Sequence, residues 1–470
     1  MRKDRVVKPR SIGVSSLRKG PFYTVASVEL GNTTTKCILV TTNLKTAEIF
    51  EIDKEIRLTR DVRAPKSDEN VFGKTIFGID LTRESVSEMI TEILQTVLKR
   101  VRLDIEHDLH FVVRSTGVTA GFANPQEVGV IVQALAGGCL NAGVPPRKMT
   151  ASLSPENLPP GLQDFTWLKK VYFDGAVASS LPPSDTDIVA NEMEGELVTA
   201  GIKGAAKNTD VDFRNPVMTL DFGTTLAGRI TDNSYPYAKT IGSFAGLAGA
   251  IPDSLVRLSG LVPEKNGSVL DIKHPRRLTQ ADIDPNWVIE AESVIRVERV
   301  TKSETRFGTV PVNGKSADAA GVLLIGVDVG NNGSKLKILE ELGKRIITES
   351  GLESLLTVID YVQANIVQRV LSIADSEGLV FEDTSLGLTG RSIISGNKPK
   401  LIVDNLRLNS GELWTSSHDI LFVEDGLAMG AAVAARCMNS MGTKRNPMGG
   451  RKGDGCIMAE RMKLQKKGHG

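Results

Sequence analysis

Two short segments of one design constrain what this chain can fold into. The first runs from Val25 to Val40 and the second from Val217 to Ile230. Each reads as an apolar strand, an acidic residue, one apolar residue, a glycine, hydroxyl-bearing residues and a second strand. The pattern predicts a hairpin whose turn can wrap a phosphate. Successive N–H groups of a tight turn make an anion-binding nest, and threonine hydroxyls donate to phosphate oxygens. Gly31 and Gly223 stand 192 residues apart, so two such turns suggest a clamp closing on one nucleotide from two half-domains.

The residues between and around the turns support two halves of similar α/β plan. The chain has 470 residues, whereas single cores stop growing near ~250–300. Strands are expected over 23–30, 36–42 and 47–52, with a polar excursion over 53–80. A helix follows on the spacing of Val86, Met89, Ile90, Ile93, Leu94 and Val97, with Thr82 as its N-cap. A strand at 109–114 and helices at 125–142 and 188–205 complete the first half. The second half starts over with a hairpin at 219–230 and a third strand at 237–241. Helices are read at 254–258 and 286–295, and strands at 323–329, 386–388 and 420–423. The strongest helix spans 352–377 and stops at Gly378, and the last covers 426–439. The boundaries are a basic flexible tail at 1–20, halves at 21–212 and 213–443, and a basic C-terminal tail at 444–470.

Charge excludes some functions. The net charge is +1. Residues 1–20 carry seven Lys/Arg and one acid, and residues 444–470 carry eight and two, so each end is +6. The body between them is therefore −11, which argues against a nucleic-acid partner there. Cys37, Cys139, Cys437 and Cys456 lie far apart, which supports neither a zinc site nor an iron–sulfur ligand set. The five histidines show no ligand spacing. No stretch approaches the ~18 apolar residues of a membrane span, so a soluble, cytoplasmic protein is expected. P-loop, Rossmann and hydrolase-elbow motifs are all missing.

In the first turn, Glu29 precedes Gly31, Asn32, Thr33, Thr34, Thr35 and Lys36. The carboxylate of Glu29 cannot bind phosphate but can hold magnesium waters, and Lys36 adds positive charge. In the second, Asp221 precedes Gly223, Thr224 and Thr225. A weaker third copy surrounds Asp328, where a strand ending in a plain Gly/Asn turn is the slightly better reading. Gly390, Arg391 and Gly396 follow a strand with small neighbours, as a groove for an adenosine moiety requires. The small, apolar stretch 242–253 reads as a close-packed helix or a phosphate-side loop, and close packing is the preferred reading.

These motifs resemble the actin, sugar-kinase and heat-shock ATPase superfamily. The resemblance covers residues 21–443 and implies two ribonuclease-H-like (actin-like ATPase) domains with a nucleotide cleft between them. It implies ATP and Mg2+ as ligands. Glu29 and Asp221 would be the catalytic carboxylates and would hold the metal through water. Gly31–Lys36 and Gly223–Thr225 would bind the phosphates, and Gly390, Arg391 and Gly396 the adenosine. Helices 188–205 and 352–377 fall where the family's hinge-side helices fall.

Within that superfamily, Ser27–Leu39 looks most like activating and reactivating ATPases of radical and corrinoid enzymes. More closely, the segments 113–118, 136–140, 242–253 and 435–442 resemble methanogenesis marker protein 14 of methanogenic archaea. The resemblance implies a slow ATPase that activates or reactivates a protein client of the methanogenesis pathway, such as a corrinoid or nickel-tetrapyrrole enzyme. It allows a homodimer. Two rivals stay open: a small-molecule kinase, with Asp174, Asp185, Asp187 and Glu192 as nominal bases, and a non-hydrolysing nucleotide sensor. The superfamily usually has Asp where this chain has Glu29, so hydrolysis is the open point. The cysteine clusters of the electron-transferring activators are missing.

Overall fold

The computed structural model describes residues 3–122, 125–149, 176–178, 192–234, 238–273 and 281–440. The first half begins with three antiparallel strands, β1 (Phe22–Leu30), β2 (Thr34–Asn43) and β3 (Ile49–Leu58). Helix α1 (Arg83–Val101) then crosses to β4 (Phe111–Thr116), and α2 (Pro125–Asn141) precedes β5 (Ala176–Ala178). Both β4 and β5 are parallel to β1. The sheet order is β3-β2-β1-β4-β5.

The second half repeats this plan after α3 (Glu192–Ala206). The meander is β6 (Val217–Phe222), β7 (Leu226–Thr231) and β8 (Thr240–Gly246), followed by α4 (Ala250–Arg257). Strands β9 (Ile295–Arg299) and β10 (Leu323–Val329) extend the sheet beyond β8. Helix α5 (Leu336–Ser376), kinked at Gly351, leads to β11 (Ser385–Thr389), β12 (Ile420–Val423) and α6 (Gly426–Ser440). The order β8-β7-β6-β11-β12, with β11 parallel to β6 and β12 parallel to β11, matches the first sheet strand for strand. A three-strand meander joined by two parallel strands is the ribonuclease-H-like arrangement, so the chain is an α/β protein with two such domains.

Local chemistry explains the elements. Thr82 caps α1 through a reciprocal capping box with Ser85, and Pro125 takes the first position of α2. The strand expected to stop at 52 runs on to Leu58. Its charged residues are matched rather than looped out: Asp53 and Glu55 both pair with Arg100 of α1. Gly378 is left-handed after α5, and Leu379 N–H returns to the Ala374 carbonyl at 2.9 Å.

The basic N-terminal segment is structured rather than free. Val6–Val7 pairs in parallel with β12 of the second sheet, and Arg10–Ser11 with β3 of the first. The C-terminal tail, 444–470, lies outside the described residues. No helix among the described residues is long and apolar enough to cross a membrane.

Each half has its own core, and a third core joins them. This shared core takes Val25, Ile38 and Phe111 from the first sheet and Val217, Leu421 and Val423 from the second. Between them lie α3 and α6, which pack closely on each other. Helix α3 follows the first half in sequence yet lies on β6 and β7, while α6 follows the second and lies on β1 and β2. The hinge-side pair is therefore α3 with α6. The expectation that helix 352–377 forms it is corrected: α5 packs against α4, β9 and β10 of its own half.

Glycine makes the crossing possible. A Cβ on Gly201 would lie 1.8 Å from the Gly426 carbonyl oxygen, and one on Gly430 would lie 1.8 Å from that of Leu197. Gly430→Ala is expected to lower unfolding free energy by about 1–3 kcal/mol, the range for overpacking. Gly129→Ala, in α2 with nothing within 4 Å of the added methyl, should raise it by about 0.5–1 kcal/mol. Urea denaturation of both variants checks the pair.

Candidate functional site

The duplicated meanders bring the two turns to the same seam. In the first, Gly31 N–H closes onto the Thr34 carbonyl at 2.9 Å, and the Thr33 hydroxyl faces the second half. The Thr33 and Thr224 hydroxyls meet at 2.8 Å. The second turn is held from behind by the residues that follow β8. Gly249 N–H donates to the Gly223 carbonyl at 2.8 Å, and Ala248 and Ala250 N–H both donate to that of Thr224. Thr225 bridges to Leu247.

Gly390 and Arg391 reach the same place from the end of β11. Gly390 has φ +97°, and a Cβ there would lie 2.3 Å from Asp221 Oδ1, so only a glycine backbone fits beside that carboxyl. Arg391 forms a two-point ion pair with Asp253 of α4, at 3.1 and 2.5 Å. Its Nη2 also donates to Thr33 Oγ1 at 3.0 Å.

Below the turns lies a charge cluster. Lys36 Nζ is 2.9 Å from Glu29 Oε2, as their cross-strand pairing in β1 and β2 dictates. Burial works against the charge on Lys36, but Glu29, Asp425 and Asp221 together raise its pKa. Asp221 is buried, which pushes its carboxyl up to about 7; Lys36 opposes the shift, and Glu29 and Asp425 add to it. Lys54 of β3 completes the group, reaching Glu424 at 2.9 Å and Asp425 at 2.7 Å across the seam.

Other predicted residues are used by the fold. Asn32 donates to the Gly117 carbonyl and accepts from Ile76 N–H. Thr35 is fully buried and pairs with the Thr59 hydroxyl. Gly396 precedes Asn397, whose N–H goes to Asp360 of α5 at 3.0 Å. The third turn is structural: Asp328 accepts from the N–H groups of Val329, Asn332 and Gly333 and pairs with Arg296. Asp174, Asp185 and Asp187 lie outside the described residues.

Asp425, Lys54 and Arg60 carry no motif, Asp253 closes the stretch 242–253, and none of the four was read from the sequence as a site residue. Arg60 grips Asp271 of the second half with two bonds at 2.5 and 2.7 Å. Arg257 covers the Phe77 ring at 4.3 Å, and Arg306 donates to the Phe122 carbonyl. These contacts join the two halves. The cavity beside Asn32, Thr33 and Arg60 measures about 10 Å³, room for one water at most.

The donor set fits a magnesium–nucleotide. Hydroxyls and turn backbone from both halves converge, and three carboxylates gather around one lysine. Among the described residues no group of three His, Cys, Asp or Glu is placed to hold a metal directly. The carboxylates of Glu29 and Asp221 could hold magnesium through bound waters, several of which magnesium usually keeps.

Asp221 also predicts a pH effect. A carboxyl raised by folding binds its proton more tightly in the native state. The stability it contributes is full at about pH 4 and falls as pH rises toward 7. Asp221→Asn should flatten that part of the pH–stability curve, measured by denaturation at intervals from pH 4 to 8. An unchanged slope would contradict the raised carboxyl.

The fold and the paired turns define a two-domain protein of the ribonuclease-H-like class. The chain belongs to the archaeal family described as "Uncharacterized protein conserved in archaea (DUF2114)", whose family model matches residues 22–465. A protein of Methanocaldococcus jannaschii is 50% identical over 460 residues, covering 98% of this chain and 94% of its own length. One from Methanothermobacter thermautotrophicus is 50% identical over 457 residues, covering 96% and 84%. Among solved structures, the ethanolamine utilization protein EutJ from Carboxydothermus hydrogenoformans is 12% identical with a TM-score of 0.35, covering 91% of this chain and 92% of its own. A reductive activator for a corrinoid, iron–sulfur protein is 11% identical with a TM-score of 0.32, covering 95% and 63%. An inorganic polyphosphate/ATP-glucomannokinase from an Arthrobacter species is 12% identical with a TM-score of 0.34, covering 88% and 98%. Likenesses at this level carry no argument, and the fold assignment rests on the strand order of the two sheets.

Proposed function

We propose that this protein binds ATP with magnesium between its two halves and hydrolyses it slowly, coupling domain closure to the remodelling of a client protein. One observation carries the reading. The hydroxyls of two equivalent turns, Thr33 and Thr224, stand 2.8 Å apart across the seam, above the carboxylates of Glu29 and Asp221. A bound nucleotide supplies phosphate charge for the turn N–H groups and hydroxyls to hold. Gly31, Thr33, Thr34, Gly223 and Thr224 would take the phosphates from both sides, with Arg391 adding a cation. Lys36 would screen the carboxylates from the phosphates.

The resemblance to marker protein 14 and to activating ATPases, together with relatives in two methanogens, supports a client in methanogenesis. The chemistry of that client would be corrinoid or nickel-tetrapyrrole. Nucleotide would act by binding the open and closed arrangements with different affinity.

A non-hydrolysing sensor is the second reading, and Glu29 favours it. Its carboxylate is one methylene longer than aspartate and is held by Lys36 at 2.9 Å. Misplacement of a metal-positioning group by ~1 Å can cost ~100-fold in rate.

Calorimetric titration with ATP and ADP is expected to show heat that depends on magnesium. No heat at high micromolar ligand would remove the ATP reading. Glu29→Asp should raise the hydrolysis rate, by up to about 100-fold if placement alone limits it. If Glu29→Ala leaves hydrolysis unchanged, that carboxylate has no metal role.

A further inference from the structure

We infer that the Asp253 carboxylate is a built-in surrogate for a nucleotide's terminal phosphate, locking the two turns together until phosphate displaces it. The inference rests on the reading of the turns as phosphate-binding. Asp253 lies in α4 and is fully buried. It is the anion at the meeting point of both turns. Its Oδ1 and Oδ2 receive both terminal nitrogens of Arg391, and Oδ2 lies 3.4 Å from Thr33 Oγ1. Thr33 in turn touches Thr224 and Arg391.

Those partners are a phosphate's partners. A guanidinium binds carboxylate and phosphate with the same two-point fork, and threonine hydroxyls serve both anions. The guanidinium also lies over bare backbone: a Cβ on Gly249 would sit 3.0 Å from Nη2. Asp253 and Arg391 both belong to the second half, yet both bond Thr33 of the first. A pair that only stabilised its own domain would have no reason to reach across.

Asp253 already occupies the fork of both terminal nitrogens, so a phosphate bound by that same fork has to displace it. Phosphate entry therefore requires Asp253 to release Arg391 and Thr33. Release also frees Val269 N–H, which donates to Asp253 Oδ1 at 3.0 Å, so displacement at the turns would loosen the 268–271 segment that Arg60 of the first half grips. One exchange of partners would thus loosen two seam contacts, at Thr33 and at Asp271.

The test uses the full chain with pyrophosphate, ATP and adenosine as calorimetric probes. Asp253→Asn keeps the shape and removes the charge. It is expected to bind pyrophosphate about tenfold tighter or more, because the binding-competent fraction rises, while adenosine affinity stays the same. In the unmodified protein, saturating pyrophosphate should speed hydrogen exchange at the Val269 amide. A folded Asp253→Asn variant that binds pyrophosphate no tighter overturns the inference. So does an unchanged or slower Val269 amide with pyrophosphate bound. Should the variant not fold, the exchange measurement on the unmodified protein decides alone. Tighter pyrophosphate binding with no ATP binding by either protein would sink the ATP reading and keep the latch. ATP binding without the pyrophosphate effect would do the reverse.

Discussion

The crossing of α3 and α6 is the constraint on which the rest depends. Each helix leaves one half in sequence and packs on the sheet of the other. Gly201 and Gly430 let their backbones approach closer than any side chain would permit. The result is a core shared by both sheets, so neither half completes its packing alone. Helix α3 is fastened to the second sheet by Glu196–Arg229 at 3.0 Å and by the Thr199 and Thr219 hydroxyls at 2.7 Å. This fixes where the two sheets face each other, and so where their equivalent turns meet.

Above that fixed base, the seam is polar and breakable. Thr33–Thr224, Arg391–Thr33, Arg60–Asp271 and Lys54–Asp425 all join groups with strong affinity for water or for other ions. Partly buried pairs of this kind recover in mutual attraction much of what their desolvation costs. They fix geometry more than they add stability. A rigid apolar base with a polar mouth is the division of labour that a hinge-closing protein needs: packed cores resist deformation, whereas hydrogen-bonded partners can be exchanged.

What the sequence revealed follows from range. The turns, the Thr82 cap and most strands were legible because each is set by residues within a few positions. The polar excursion was misread at 53–58 because charged residues in a strand resemble a loop until their partners, such as Arg100, are known. The hinge helix was misassigned for a similar reason. Apolar spacing shows that 352–377 is a buried helix but not which half buries it, while the real partner of α3 is marked by small residues that carry no periodic signal. Asp425 and Lys54 escaped notice because their pairing exists only across the seam, 371 residues apart in sequence, and Asp253 because its ion-pair partner Arg391 stands 138 residues away. Asn32 and Thr35 show the converse: a hydroxyl or amide in the right turn can be spent on the fold.

On the proposed function, the two equivalent turns hold one nucleotide's phosphates. A crystal structure grown with magnesium and a non-hydrolysable ATP analogue tests it most directly. The account predicts phosphates lying between Gly31–Thr34 and Gly223–Thr224, with the Thr33 and Thr224 hydroxyls parted from their 2.8 Å contact. Phosphates bound elsewhere, or a bound analogue with those hydroxyls still touching, would contradict it.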